Sequence, residues 1–157
     1  MRVGWGVDAH RFSDEGTVLI CGVMADGTRG VEATSDGDVA AHALVDALLG
    51  AAALGDIGSF HPPDAVESQG ADSMRLLADA ARRVADAGYS ISSVDVTVVS
   101  QTIRVAPIRD AARARLADCL GLPLARVSLK ATTTDAMGFT GRDEGLAALA
   151  VAVLDEG

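Results

Sequence analysis

Asp8 and His10, in Gly6-Val7-Asp8-Ala9-His10-Arg11-Phe12, stand two residues apart. In an extended chain that spacing projects both side chains from one face. His42, in a stretch that reads as a helix, could supply a third donor. One carboxylate and two imidazoles leave a tetrahedral zinc with an open position, the arrangement of a catalytic rather than a structural site. An Asp-x-His pair alone arises often by chance, so its weight depends on its surroundings. Asp38, His42 and Asp46 recur every four residues and fall on one stripe of the helix. A solvent-facing polar stripe is one reading; a metal ligand with supporting carboxylates is the other. The scarcity of other polar positions on this helix favours the second.

A second patch follows the chain's single lysine: Lys130-Ala131-Thr132-Thr133-Thr134-Asp135, then Gly138-Phe139-Thr140-Gly141-Arg142. Threonines at a strand end offer hydroxyl and backbone donors, and an adjacent Asp can hold a hard cation that bridges diphosphate oxygens. A threonine-rich strand with a capping Asp is the plainer reading, but Lys130 and the glycine-rich segment favour phosphate. The spacing matches no Walker motif. Arg142 is an anion ligand or half of a structural ion pair. Asp56-Ile57-Gly58 reads first as a turn, with backbone N–H groups that could approach a hydroxyl or phosphate. His61 reads as a loop residue beside the pocket. Ser100-Gln101-Thr102-Ile103-Arg104-Val105-Ala106 joins a strand to a helix, a weak signal for nucleotide contact.

The elements that must position these residues are strands over 2–10, 17–23, 92–101 and 126–133, and helices over 38–53, 73–87 and 107–120. Ser13-Asp14-Glu15-Gly16 turns between the first two strands. Asp72 or Ser73 caps the second helix, Gly88 and Gly121 end the second and third, and Pro107 suits a first helical position. The closing stretch 145–156 is ambiguous between helix and strand; strand is chosen because a mixed sheet needs a partner there. The expected fold is α/β, an α+β sandwich with a mixed β-sheet and helices packed on one face. No repeat or linker divides the chain, so 1–157 is one domain.

A hydrophobic share of 49% with only 3% aromatics is more Ala, Val and Leu than so small a domain easily hides. That suggests a homo-oligomer with an apolar interface, against the alternative of a tightly packed monomer. A net charge of −9 argues against nucleic acid or an anionic membrane as partner. It leaves room for a small phosphorylated substrate neutralised locally by metal ions. Cys21 and Cys119 form no metal motif or disulfide framework. With no signal-like N-terminus and no long uninterrupted apolar run, the expectation is a soluble cytoplasmic protein.

Taken together, GVDAHRF, SDGDVAAHALVDALLGAAALGDIG, GADS, VDVTVVSQ and KATTT with GFTGR resemble the 2-C-methyl-D-erythritol 2,4-cyclodiphosphate synthase family, in order and nearly end to end. The resemblance implies a homotrimer with active sites between subunits. It also implies a CMP-forming phosphorus–oxygen lyase of non-mevalonate isoprenoid biosynthesis, acting on 4-diphosphocytidyl-2-C-methyl-D-erythritol 2-phosphate. Carried across, Asp8, His10 and His42 would hold Zn²⁺, with Ala9 beside them at the substrate. Asp135 would hold Mg²⁺ or Mn²⁺. Asp56, Ile57 and Gly58 would take the erythritol, and Ser35 a phosphate. The loop Ser100–Ala106, with Thr132, Thr133 and Thr134, would take the cytidine and α-phosphate. Thr34 and Thr133 would stabilise the transition state, and Asp38 and Asp46 would support the metal ligands. Phe139 and Arg142 complete the expected substrate set, and a central cavity faced by Arg142 and Trp5 would take an isoprenoid diphosphate.

The chain departs from the family pattern at four places. Thr34 stands where His is usual, Asp135 where Glu is usual, Arg104 where Lys is usual, and His61-Pro62-Pro63-Asp64-Ala65 replaces the usual loop. Thr34 and Asp135 motivate an alternative, a non-catalytic trimer binding metal and isoprenoid diphosphate. A zinc phosphohydrolase is disfavoured, because no residue obviously prepares a water.

Overall fold

Two glycines decide how the layers meet. The computed structural model describes residues 1–62 and 64–156. Along β1 (Arg2–Ser13), Gly4 and Gly6 alternate with Val3, Trp5 and Val7. A Cβ at Gly4 would lie 2.2 Å from the Ala47 carbonyl oxygen, and one at Gly6 2.1 Å from that of Ala43. Helix α1 (Val39–Ala51) therefore rests directly on β1, an approach only glycine admits. The helix is buried on nearly every side, which is why its sequence shows so little polar surface.

The main sheet runs β4-β1-β7-β5-β6, with β4 at Gly30–Val31, β5 at Tyr89–Val99, β6 at Val127–Thr132 and β7 at Gly145–Glu156. Only β5 and β6 pair in parallel, joined through helix α4 (Arg109–Leu120); the other pairs are antiparallel, so the sheet is mixed as expected. Helix α3 (Ser73–Asp86) and α4 join α1 over the same face, where Leu44, Leu48, Leu77, Val84, Val96, Leu116 and Leu146 form the core. The ambiguous 145–156 stretch is the strand β7, at the centre of the sheet. Its Ala148, Ala150 and Ala152 are buried, and Leu149 and Val151 face outward.

The sheet's other face is uncovered. Val3, Trp5 and Val7 on β1 lie beside Val153, Val151 and Leu149 on β7, and Trp5 is 69% exposed. Towards β5 and β6 the same face turns polar, with Asp95, Thr97, Lys130 and Thr132.

Three expectations need correction. The strand predicted over 17–23 is a hairpin, β2 (Val18–Ile20) and β3 (Val23–Asp26), and it pairs with itself rather than with β1. Cys21 and Gly22 turn it with φ of 51° and 73°, the two positive values of a two-residue hairpin turn. The buried Asp38 carboxylate accepts both their N–H groups, so the turn is dictated from α1 and not by its own residues. Pro107 lies in the turn before α4 and not at its first position. Finally, Asp56-Ile57-Gly58, read first as a turn, opens a short helix α2 (Ile57–Phe60). A further short helix, α5 (Gly138–Gly141), precedes β7.

Candidate metal centre and substrate pocket

β1 presents Asp8 and His10 on its helix-covered face, and α1, lying across it, lowers His42 onto them. Asp8 Oδ2 is 3.0 Å from His10 Nε2 and 3.0 Å from His42 Nδ1, and the two nitrogens are 3.4 Å apart. Donors about 2.0–2.1 Å from a tetrahedral zinc lie roughly 3.3 Å from one another, so this triangle has the size of one face of that tetrahedron. These three residues are the group among the described residues able to share a metal ion.

The electrostatics favour a cation. Burial works against the Asp8 carboxylate, but hydrogen bonds from His10 and His42 outweigh it and hold its pKa well below the usual range. Burial likewise opposes charge on His42, and the facing Asp8 reverses that, raising its pKa. A metal ion would take the place of the proton shared between them.

The far nitrogen of His42 is also held. Its Nε2–H donates to Ser73 Oγ at 2.8 Å, with Ser35 Oγ at 3.1 Å. Ser73 Oγ donates in turn to Asp36, whose other oxygen accepts the Ser73 N–H at 3.0 Å. Because Asp36 can only accept, the relay fixes a proton on Nε2. That leaves Nδ1, the nitrogen facing Asp8 and His10, as the one a metal ion would take in place of the shared proton. Sequence reasoning missed Asp36 and Ser73: a serine beside a helix cap reads as part of the cap, and only the packing of α3 against α1 aims it at His42.

Asp38 and Asp46, expected behind the metal ligands, do other work. Asp38 caps α1 through the Ala41 N–H besides holding the hairpin turn, and burial raises its pKa against those three hydrogen bonds. Asp46 accepts the Ile57 N–H at 2.8 Å and so fixes the start of α2; its pKa too is raised by burial.

A pocket of about 260 Å³ opens beside the triangle, bounded by His10, His42, Thr34, Ser35, Ile57, Gly58 and His61. His61 is steered by Asp79 on α3, 3.5 Å away. Pro63, within the predicted loop, lies outside the described residues. Asp56 does not border this pocket. It caps α2, accepting from Ser59 N and Oγ, and borders a separate hollow with Trp5 and Val7. Ala9, by strand alternation, points to the opposite face from Asp8, towards a hollow shared with Phe139.

The remaining predicted residues gather elsewhere. Ser100 accepts the Ile103 N–H, Ile103 and Val105 are buried, and Arg104 and Ala106 are exposed. Gln101 accepts the Ala136 N–H at 3.2 Å, tying this loop to the segment after β6. There Thr133 Oγ1 donates to the exposed Asp135, and Thr134 Oγ1 meets Thr140. Strand register measures the separation: Thr132 pairs with Val99, Val99 with Ala147, and Ala147 with Ala9. Three strand spacings make that about 14 Å. Thr132 also lies on the open face, opposite Asp8 and His10. Lys130, whose presence beside the threonines favoured phosphate binding, is paired with Asp95 on the neighbouring strand. Arg142 is exposed and paired with Glu144 at 2.7 Å.

Among the described residues no helix is long and apolar enough to cross a membrane. Comparison with known proteins matches residues 1–155 to the YgbB family. The 2-C-methyl-D-erythritol 2,4-cyclodiphosphate synthase of Marinobacter nauticus is 49% identical over 155 residues, covering 99% of this chain and 98% of that one. Among solved structures, the bifunctional IspDF of Campylobacter jejuni superposes with a TM-score of 0.96 at 39% identity, over 99% of this chain and 42% of that one. A CDP-bound 2C-methyl-D-erythritol-2,4-cyclodiphosphate synthase gives a TM-score of 0.89 at 32% identity, over 98% of this chain and all of that one, 100%.

Proposed function

We propose, from the premise that this chain is a member of the YgbB family, that it converts 4-diphosphocytidyl-2-C-methyl-D-erythritol 2-phosphate into 2-C-methyl-D-erythritol 2,4-cyclodiphosphate and CMP. The observation that carries the reading is the Asp8–His10–His42 triangle beside a pocket bordered by the hydroxyl residues Thr34 and Ser35. The triangle would hold Zn²⁺, and Asp135 would hold Mg²⁺ or Mn²⁺. Bound there, the ions neutralise and polarise the diphosphate.

An oxygen of the 2-phosphate forms a bond to the β-phosphorus in line with the bond to the α-phosphate bridge, which breaks and leaves with CMP. The nucleophile is already an anion, so no side chain need remove a proton. The chain's task is positioning and charge stabilisation. Thr34 and Ser35 donate hydroxyl hydrogen bonds at the pocket wall, and the backbone around Ile57 and Gly58 lines the erythritol end. The loop Ser100–Ala106 takes the cytidine. Thr132, Thr133 and Thr134 donate to the α-phosphate, and Thr133 also meets charge developing in the transition state. Thr34 supplies a dipole where a positive charge would be stronger, so this chain leans more heavily on its metal ions.

The working unit is a homotrimer with the site between subunits. Thr132 and the triangle lie on opposite faces of one sheet, so a second copy must bring the nucleotide half to the metal half. The uncovered face around Trp5, Val7, Leu149 and Val151 supports such an assembly. Its lumen, with Arg142 at hand, would admit an isoprenoid diphosphate, and the reaction would run in the cytoplasm.

The test is to incubate the protein with the cytidyl substrate, Zn²⁺ and Mg²⁺ and to follow phosphorus NMR. CMP and the cyclic diphosphate should appear together. Their absence sinks the reading, and a linear product would indicate hydrolysis instead.

A further inference from the structure

We infer that Arg29, with Asp143, is a positioning residue that holds the loop Ser100–Ala106 ready for the nucleotide; the inference rests on the proposed role of that loop. Arg29 precedes β4, far from the metal triangle in sequence and absent from the pocket lining. Its guanidinium lies 3.7 Å above the Phe12 ring, at the end of the strand that carries Asp8 and His10. From that perch it forks onto Asp143, with Nη1 2.9 Å from Oδ2 and Nη2 3.3 Å from Oδ1. Thr102 Oγ1 donates to the same carboxylate at 2.7 Å and also meets Arg29. A planar fork on a carboxylate, backed by an aromatic face, fixes direction as well as distance. Lysine could not reproduce it.

The clamp joins three places the backbone leaves apart: the end of β1, the loop 100–106, and the turn between α5 and β7. One residue before Thr102 the loop is also tied by Gln101 to the Ala136 N–H, next to Asp135. Loop and second-cation segment are thus latched to one another through Gln101, and the clamp at Thr102 fastens the loop to the end of the metal-bearing strand.

Backbone conformation gives independent support. Asp143 has φ of 58°, in the left-handed region where glycine sits with least strain. A side chain kept there against its backbone preference is explained by what its carboxylate does. Both of its oxygens are engaged, and the hydrogen bond from Arg29 leads the causes that lower its pKa.

If the clamp only holds the loop in its binding conformation, its loss lowers the fraction of binding-competent molecules, and apparent affinity falls by that fraction. Once nucleotide is seated it holds the loop itself, so the chemical step changes little. The variants are Asp143→Gly, which relaxes the left-handed residue, and Arg29→Met, which keeps the packing on Phe12. Calorimetric titration with CDP and Mg²⁺ should show Kd rising about tenfold in both, were the competent fraction to fall to roughly a tenth. KM should rise in parallel, kcat should stay within about twofold, and zinc content should not change. The Tm of Asp143→Gly should not fall. Should Arg29→Met fail to fold, Asp143→Gly alone decides. Variants that bind CDP as the unaltered protein does overturn the clamp, as does a fall in Tm with Kd unmoved. An unaltered protein that fails to bind CDP overturns the nucleotide reading itself.

Discussion

The two halves of the proposed site are built on different principles. The metal half is made of regular structure: two residues of β1, one of α1, and a relay from α3, all partly or wholly buried. The nucleotide half is made of strand ends and loops. Thr133 and Asp135 are exposed, Asp135 and Ala136 have positive φ, and the loop 100–106 is held by side-chain ties instead of a ladder. A cation needs donors fixed to a fraction of an ångström, which strands and helices provide. A flexible diphosphocytidyl group needs reach and adjustable donors, which loops provide.

The sharpest break of that contrast is at the triangle. His42→Ala or Asp8→Ala should remove zinc and lower turnover by about a thousandfold or more, since metal supplies the main charge stabilisation. Elemental analysis alongside CMP release checks both, and full activity without zinc would refute the assignment. Next, the halves should be separable between chains. Co-expressing His42→Ala with Thr133→Ala subunits, each inactive alone, should restore about a quarter of the activity, because random pairing in a ring unites the two intact halves at that frequency. No restoration would mean that each chain uses its own halves.

A smaller effect tests the relay. Ser73→Ala leaves His42 in place but frees its ring, and zinc affinity should fall about 10–100-fold. Competition with a chromophoric chelator measures it, and Ser73→Thr should recover most of the loss. The smallest effect concerns pH in zinc-free protein. His42 has a raised pKa, so its pairing with Asp8 stabilises the fold fully below its unfolded value near 6.5 and less as pH rises through the raised value. Asp8, held low, contributes above its unfolded value near 3.8 and loses this only as pH falls through its depressed pKa. Zinc-free protein should therefore melt a few degrees higher at pH 5.5 than at 8.5. Zinc competes with that proton, so zinc-loaded protein should show the opposite trend. Equal melting with and without zinc at both pH values would separate the triangle from metal.

Much of this was legible beforehand because the signals are local. Asp72 capping α3, Gly121 ending α4 at φ 65° and the alternation along β5 each depend on a few neighbouring residues. The misreadings share a cause. Val18 to Val23 looks like one strand unless one knows that Asp38 reaches its middle. That Lys130 pairs its charge with Asp95 across the sheet is likewise invisible along the chain. Asp38 and Asp46 share a stripe with His42, but they serve backbone N–H groups of a hairpin and of α2, while Asp36, off that stripe, supports the histidine through Ser73.

Sequence by itself determined the donor chemistry, one carboxylate and two imidazoles with threonine-rich phosphate donors, and the strands and helices that carry them. It could do so because residue type and local periodicity are written along the chain. Tertiary structure alone decided that the three donors close to within 3.4 Å, that Ser73 and Asp36 stand behind His42, and that Thr132 faces away from the metal. Those are distances between segments far apart in sequence. They are set by how closely α1 may approach β1 at Gly4 and Gly6, and by which face of the sheet each strand turns outward.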